Sequence, residues 1–297
     1  MIFASDQRGK FYTLSDVKPP LRAIDDNGNS LKSILAERDD AGFAFDAYGI
    51  DDYSSLTAHF EKPKNVKQAK LILRVKNNPW GGFVYKEFTQ LFGDYYDNWA
   101  RKTGKKSAKQ MEENFKKGGV VLVVSIKQNN EWKELESINL VGDVNYNSIV
   151  VPISTEDLND DDISIRIRSG FKFWEIDYLG IDFSDEKTFK VEHISPTITS
   201  DSELTNQAAL LKDDDSYLLQ TKNSAPVSIV FNNIPNSASA RTLILCSKGY
   251  YVSQRQVTGK TQFAKLRQLN QQSGLSTYSK EIFDAYNETF TIISNPK

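Results

Sequence analysis

Apolar and polar residues alternate in short runs over much of the chain. Ile163, Ile165 and Ile167 are separated by Ser164, Arg166 and Arg168, the period of two that gives a strand one buried and one solvated face. The apolar run from Val120 to Lys127 predicts a buried strand. Glu131-Trp132-Lys133 opens the next, Ser148 to Ile153 forms another, the polar turn Asp160-Asp161-Asp162 precedes the alternating strand at 163–167, and a last strand spans residues 171–183. At the N-terminus, Phe3-Ala4-Ser5 and Lys10 to Leu14 flank a turn at Asp6 to Gly9, a hairpin pattern.

Residues 79–118 follow a different period. Val84, Phe88, Leu91, Phe92, Tyr95, Tyr96 and Trp99 recur at helical spacing. They predict one amphipathic helix over 82–102 that buries Phe88, Leu91, Phe92, Tyr95 and Trp99. Ser107, with Gln110 three residues on, has the form of a capping box for a second helix that ends at Gly118-Gly119.

The order of features recurs along the chain. Pro20, Asp25, Ile34-Leu35 and Asp39 match Pro196, Asp201, Leu210-Leu211 and Asp215 at an offset of 176. Leu71-Ile72-Leu73 then matches Leu243-Ile244-Leu245 at an offset of 172. These matches predict a mainly β chain of two related β-sandwich modules with equivalent Leu-Ile-Leu strands. The expected division is an opening hairpin or remnant of a preceding domain at 1–16, a sandwich with helical insert 79–118 at 17–185, and a shorter related β-rich module at 186–297.

Composition narrows the function. Among 297 residues, 37 Lys and Arg nearly balance 39 Asp and Glu, which removes the electrostatic footprint expected of a nucleic-acid binder. One cysteine, Cys246, and two histidines, His59 and His193, are too few for a disulfide framework or a His-rich zinc centre. No apolar run approaches the ~20 residues of a membrane helix, so no membrane insertion is expected. Met1-Ile2-Phe3-Ala4 runs directly into polar residues without a secretory signal pattern. The expectation is a piece of a longer exported protein, extracellular or in the cell envelope, with a cytoplasmic protein as the alternative.

Several residues are chemical candidates. Glu175 and Asp177 fall on one face of the last strand if its alternation is unbroken, at a spacing two catalytic carboxylates could use. A bulge that flips the register, or pairing of Asp177 with Arg166 or Arg168, is the structural alternative. Trp80, between Pro79 and Gly81-Gly82 and ahead of the helix, is the preferred exposed ligand contact, with Tyr250 and Tyr251 as its counterparts. Asp25, Asn27 and Asn29 form a weak calcium candidate that departs from the EF-hand pattern and otherwise reads as a turn before a helix capped by Ser30. Lys102, Lys105, Lys106, Lys109, Lys116 and Lys117 form a basic face interrupted by Glu112 and Glu113. Gly259-Lys260-Thr261 lacks the earlier glycine of a phosphate loop.

Leu56-x-x-x-Phe60 with Pro63, Ala69 to Leu73, Val123-x-x-Ile126 leading to Trp132, Val150 to Ile153, Ile163-x-Ile165-x-Ile167 and Ile176-Asp177-Tyr178-Leu179-x-Ile181 resemble the galactose-binding-like jelly roll of carbohydrate-binding and discoidin-type modules. The resemblance covers under half of the chain, and the helical insert departs from it. Including Lys248-Gly249-Tyr250-Tyr251, the pattern also resembles C-terminal regions of large exported proteins of Bacteroidetes-type bacteria. The resemblance implies a β-sandwich and carries no activity. The repeat, the sandwich pattern and the scarcity of catalytic signatures lead instead to the expectation of a non-catalytic binding or adhesion module whose partner is a glycan or surface protein. A glycoside or ester hydrolase using Glu175 and Asp177, and a purely structural scaffold, are the alternatives. No cofactor beyond calcium is implied, and oligomeric state is left open.

Overall fold

The computed structural model describes residues 2–46, 53–156, 158, 162–198, 218–219, 223, 227–232, 234, 242–245 and 255–294. The chain divides into two compact units. One comprises Met1–Glu186 with Gln256–Lys297, and the other Lys187–Arg255.

The first unit is mainly β. Its strands are β1 (Ile2–Ser5), β2 (Phe11–Leu14), β3 (Val17–Lys18), β4 (Arg22–Asp25), β5 (Phe43–Ala44), β6 (Ser54–Glu61), β7 (Gln68–Asn77), β8 (Leu122–Gln128), β9 (Glu131–Ile138), β10 (Asn147–Ser154), β11 (Asp162–Ser169) and β12 (Trp174–Asp182). A seven-stranded sheet has the order β2-β1-β10-β7-β12-β3, with β5 also on β12, and a five-stranded sheet has the order β4-β6-β11-β8-β9. The expected hairpin at 1–16 is β1 with β2, antiparallel, and it joins the larger sheet through β10.

Alternation explains how the sheets share a core. On β6, Leu56, Ala58 and Phe60 point inward, and across the ladder Ile163, Ile165 and Ile167 of β11 do the same. They meet Leu71, Leu73 and Val75 of β7 and Trp174, Ile176, Leu179 and Ile181 of β12 in one cluster. The Trp174 indole stays satisfied in this core by donating Nε1–H to the Val120 carbonyl at 2.7 Å. The larger sheet also covers part of its other face. Ile72, Val150 and Tyr178 pack there with Ala4, Tyr12 and Leu14, which is why β7 reads as a continuous apolar run.

Between β7 and β8 lies the helical insert: α2 (Trp80–Gln90), a 3-10 turn at Gly93–Tyr95, α3 (Tyr96–Thr103) and α4 (Ala108–Gly118). The single helix expected over 82–102 is therefore two. Gly93 adopts φ +49, and a Cβ there would lie 2.1 Å from the Gly259 carbonyl oxygen. Residues 259–262 lie along the break. Asp94 donates its backbone N–H to Gly259 O at 2.9 Å, and Gln262 caps the α2 end by donating to Leu91 O at 2.8 Å. Thr261 Oγ1 donates to Phe92 O at 2.7 Å. Carbonyls at the end of α2 that a longer helix would have satisfied are met by this distant segment instead. For α4, Ser107 and Gln110 form the reciprocal capping box, and Gly119 closes the helix at φ +82.

The chain closes with α5 (Phe263–Leu269) and α6 (Gly274–Ser294). Leu269 and Tyr278 enter the main core, with Leu266, Leu275 and Ile282 packed against it. The stretch 256–297 thus belongs with the first unit and not with a second module running from 186. In the second unit, β13 (Thr197–Ile198) pairs antiparallel with β14 (Ile229–Val230). Leu71, Ile72 and Leu73 are each 0% exposed, whereas Leu243, Ile244 and Leu245 are 67%, 51% and 75% exposed and belong to no strand. The expected equivalence of the two Leu-Ile-Leu segments is not seen: a strand needs at least one ladder partner and a buried apolar strand needs cover on its faces, and these exposed residues have no ladder partner among the described residues. α1 (Lys32–Ala36) begins after Leu31, and Ser30 bridges to Ile24 instead of capping it.

Asp182, at the end of β12, ties the N-terminal strands to the sheet. Its carboxylate accepts N–H bonds from Ser15 at 2.6 Å, Asp16 at 2.9 Å and Ser184 at 2.6 Å, and the Ser184 hydroxyl. Burial alone would raise its pKa, but the Ser184 hydroxyl and these amides outweigh it and hold the carboxyl below its usual range. The folded value lies below the unfolded one, so the ionised form stabilises the fold above roughly pH 4 and is lost as pH falls through the folded value. The stability difference between wild type and Asp182→Asn should therefore shrink below about pH 4, as urea melts across pH will show. A constant difference counts against this role.

Candidate functional site

The site is built around an irregularity in β12. Ile176 pairs with Val75 and Tyr178 with Arg74, so Asp177 is one residue too many and the register shifts there. Such a bulge re-aims side chains. Trp174 and Ile176 face the core before it and Leu179 and Ile181 after it, leaving Glu175 on the outer face of the larger sheet. The expectation that Glu175 and Asp177 share the face of Leu179 and Ile181 is thus corrected, and the bulge alternative describes the strand.

Asp177 is 0% exposed and bonds through Oδ2 to Arg74 Nη1. Its Oδ1 has no partner among the described residues. The same Nη1 meets Asp40 Oδ1 at 2.7 Å, on the loop after α1, where the Asp40 side chain is 71% exposed and that of Arg74 22%. Arg166 and Arg168, proposed partners of Asp177, lie on the other sheet, over the rings of Trp132 at 4.7 Å and Tyr53 at 5.0 Å. Burial tends to lower the Arg74 pKa, but its bonds to Asp177 and Asp40 more than offset this and raise it.

Glu175 is held as firmly. Its Oε1 accepts from Asn78 Nδ2 at 2.8 Å, and its Oε2 accepts from the Tyr146 hydroxyl at 2.9 Å and pairs with Lys76 Nζ at 3.2 Å. The Tyr146 ring lies between cations, with Arg74 4.9 Å and Lys76 4.7 Å from its centroid. Burial, then the Glu175 bond and charge, push the Tyr146 hydroxyl far above its ordinary value, so it is a permanent donor. Gly42 packs closely on this ring: a Cβ there would sit 2.2 Å from the Tyr146 hydroxyl oxygen and displace it. Beside the cluster, Arg38 covers the Tyr178 ring at 4.6 Å.

The arrangement presents cations, carboxylates and one aromatic ring along the outer face of a sheet. A general acid or base must touch its substrate, and Asp177 has no exposed side-chain surface.

The other sequence candidates lie elsewhere. Trp80 is the first residue of α2, not a residue ahead of it, and is half-buried. It donates Nε1–H to Ser279 Oγ at 2.9 Å and packs against Phe83 and Phe283 at 4.9 and 5.3 Å. The expected exposure fails because α6 covers it. Tyr250, Tyr251, Cys246 and Asp213 to Asp215 lie outside the described residues. Asp25 shapes its own turn: Oδ1 accepts from the Asn27 and Asn29 amides at 2.9 and 2.8 Å, and Oδ2 from Asn29 Nδ2 at 2.9 Å. Among the described residues no group of three or more His, Cys, Asp or Glu is placed to hold a metal ion. His59 Nδ1 and Ser164 Oγ face each other at 3.0 Å as a cross-strand pair, and His193 is exposed in the other unit. Within the basic face, Lys116 pairs with Glu134 at 2.5 Å. No helix among the described residues is long and apolar enough to cross a membrane.

Arg74, Lys76, Asp40 and Tyr146 went unnoticed in the sequence. Arg74 and Lys76 carry a signal, two charges at period two inside an apolar strand. Tyr146 and Asp40 carry none.

No protein-family model and no curated protein matches the chain. Among solved structures, it overlaps with TmCBM61 in complex with beta-1,4-galactotriose at TM-score 0.24 and 9% identity, over 45% of this chain and 66% of that one. It overlaps with the enzymatically active domain of bacteriophage CBA120 tailspike protein 4 at TM-score 0.26 and 10% identity, over 58% of this chain and 18% of that one. Similarities at this level assign neither a family nor a ligand. The class defined by the fold is a mainly β protein with a curled sheet and a helical insert.

Proposed function

We propose that the first unit is a non-catalytic binding module of a larger exported or cell-surface protein, that its ligand is a glycan, and that the outer-face strip of Arg38, Asp40, Arg74, Lys76, Tyr146 and Glu175 is its contact surface. The jelly-roll description of the two sheets belongs to the same proposal. One observation carries the reading: a dense set of mutually paired donors and acceptors surrounds an aromatic ring on a sheet face whose reverse is the core. Hydroxyl-rich ligands require such donors and acceptors, and a rigid sheet presents them at fixed spacing. The sealed position of Asp177 favours binding over the hydrolase alternative.

A glycan array run beside a hydrolysis screen of polysaccharides and esters tests this. Retention of a glycan without turnover is expected, with Lys76→Ala weakening it about tenfold, the effect of one lost charge-assisted contact. Turnover that Asp177→Asn abolishes in a folded protein overturns the reading in favour of the hydrolase.

A further inference from the structure

Arg74 has two carboxylates on a single nitrogen. Asp177 holds Nη1 from the interior and cannot leave, being fully buried at the bulge. Asp40 holds the same Nη1 from the solvent side with an exposed side chain. Asp177 already supplies an interior counter-charge, so Arg74 does not depend on Asp40 for neutralisation. Exposed pairs of this kind hold weakly and open readily. Asp40 adopts φ +66, a left-handed turn conformation that Asp takes more readily than most residues. Its loop is fixed by the Ala41 amide on Asp39 Oδ1 at 3.0 Å and by the approach of Gly42 to Tyr146.

We infer that Asp40 occupies, in the free protein, the place of a ligand carboxylate on Arg74, and that the site takes the uronate of an acidic glycan. The inference rests on the binding reading above and names its ligand class. A free carboxylate can engage both terminal nitrogens of a guanidinium, whereas Asp40 approaches Arg74 at the Nη1 it shares with Asp177. Lys76, over the same Tyr146 ring, adds a second cation. Glu175 would then accept from sugar hydroxyls. That combination, one anion beside several neutral donors, describes a uronate better than an acidic peptide, which brings charge without hydroxyls to a site already rich in carboxylates.

The test is calorimetric titration of the full chain and of Asp40→Ala with oligogalacturonate and oligoglucuronate, with the same oligosaccharides after carboxyl reduction, and with oligoglutamate. The wild type should bind a uronate form about tenfold more tightly than its reduced form. Removal of the internal competitor should tighten the uronate form severalfold, with little change for the reduced form. Added salt should weaken only the charged ligand. Arg74→Lys, which keeps the charge and loses the fork, should forfeit the preference for the uronate even if Asp40→Ala fails to fold. Equal binding of charged and reduced forms, weaker uronate binding by Asp40→Ala, or oligoglutamate binding as tight as the uronate each overturn the inference and leave the binding reading standing. Failure of that reading is distinct: no glycan on the array and no oligosaccharide, charged or reduced, is bound by any of the proteins.

Discussion

Replacing Arg74 by Met should lower stability by about 3–5 kcal/mol, because it leaves a buried carboxylate with no cation. Asp177→Ala should cost less. The two partners of one ion pair are unequal here: Asp177 has no exposed side-chain surface, whereas the Arg74 side chain is 22% exposed and keeps Asp40 when Asp177 is removed. A charge that retains both water and a partner costs little, and one that loses both costs a great deal. Chemical denaturation of the two variants checks the order, and the double variant Arg74→Met with Asp177→Leu should recover much of the Arg74→Met loss, since a well-packed apolar pair can replace a buried ionic one. Equal losses in the two single variants would show that Asp40 does nothing for Arg74.

The same bulge shows what was legible in the sequence. Period-two alternation located β11, which has one face in the core, and a continuous apolar run located β8, which is buried on both faces over most of its length; each property is written in the strand's own residues. The capping box at Ser107 and Gln110 was equally local. Asp177 was not, since whether a strand bulges depends on the neighbour it must satisfy, and Arg74 lies 103 positions away. The Leu-Ile-Leu match at Leu243 misled for the same reason: identical residues bury only where a ladder and a covering layer exist. It also drew 256–297 into a supposed second module and hid α6. Leu275, Tyr278 and Ile282, spaced at i, i+3 and i+7, were the signal for that helix. Once α6 is in place, Trp80 loses its exposure and the preferred contact moves to the sheet face.

The largest effect within the insert is expected from Phe92→Asp. Phe92 is 5% exposed, stacks on Trp99 at 4.4 Å and meets Phe88 edge-on at 5.2 Å. With Tyr96 and Val257 it forms a cluster separate from the main core. Loss of a buried Phe costs about 3–5 kcal/mol, and the new carboxylate would be buried among aromatic rings at further expense. Because the cluster is distinct, the damage should be confined: α2, α3 and the 257–266 segment should open while the sheets stay paired. Hydrogen exchange separates the outcomes, since amides of α2 and α3 should lose protection and those of β7 and β11 should keep it. The Phe92 carbonyl also accepts the Thr261 hydroxyl, so release of α2 should free the C-terminal segment with it. Uniform loss of protection across both sheets would mean that insert and sheets form one cooperative unit, and an unchanged melting curve would remove Phe92 from the interior altogether.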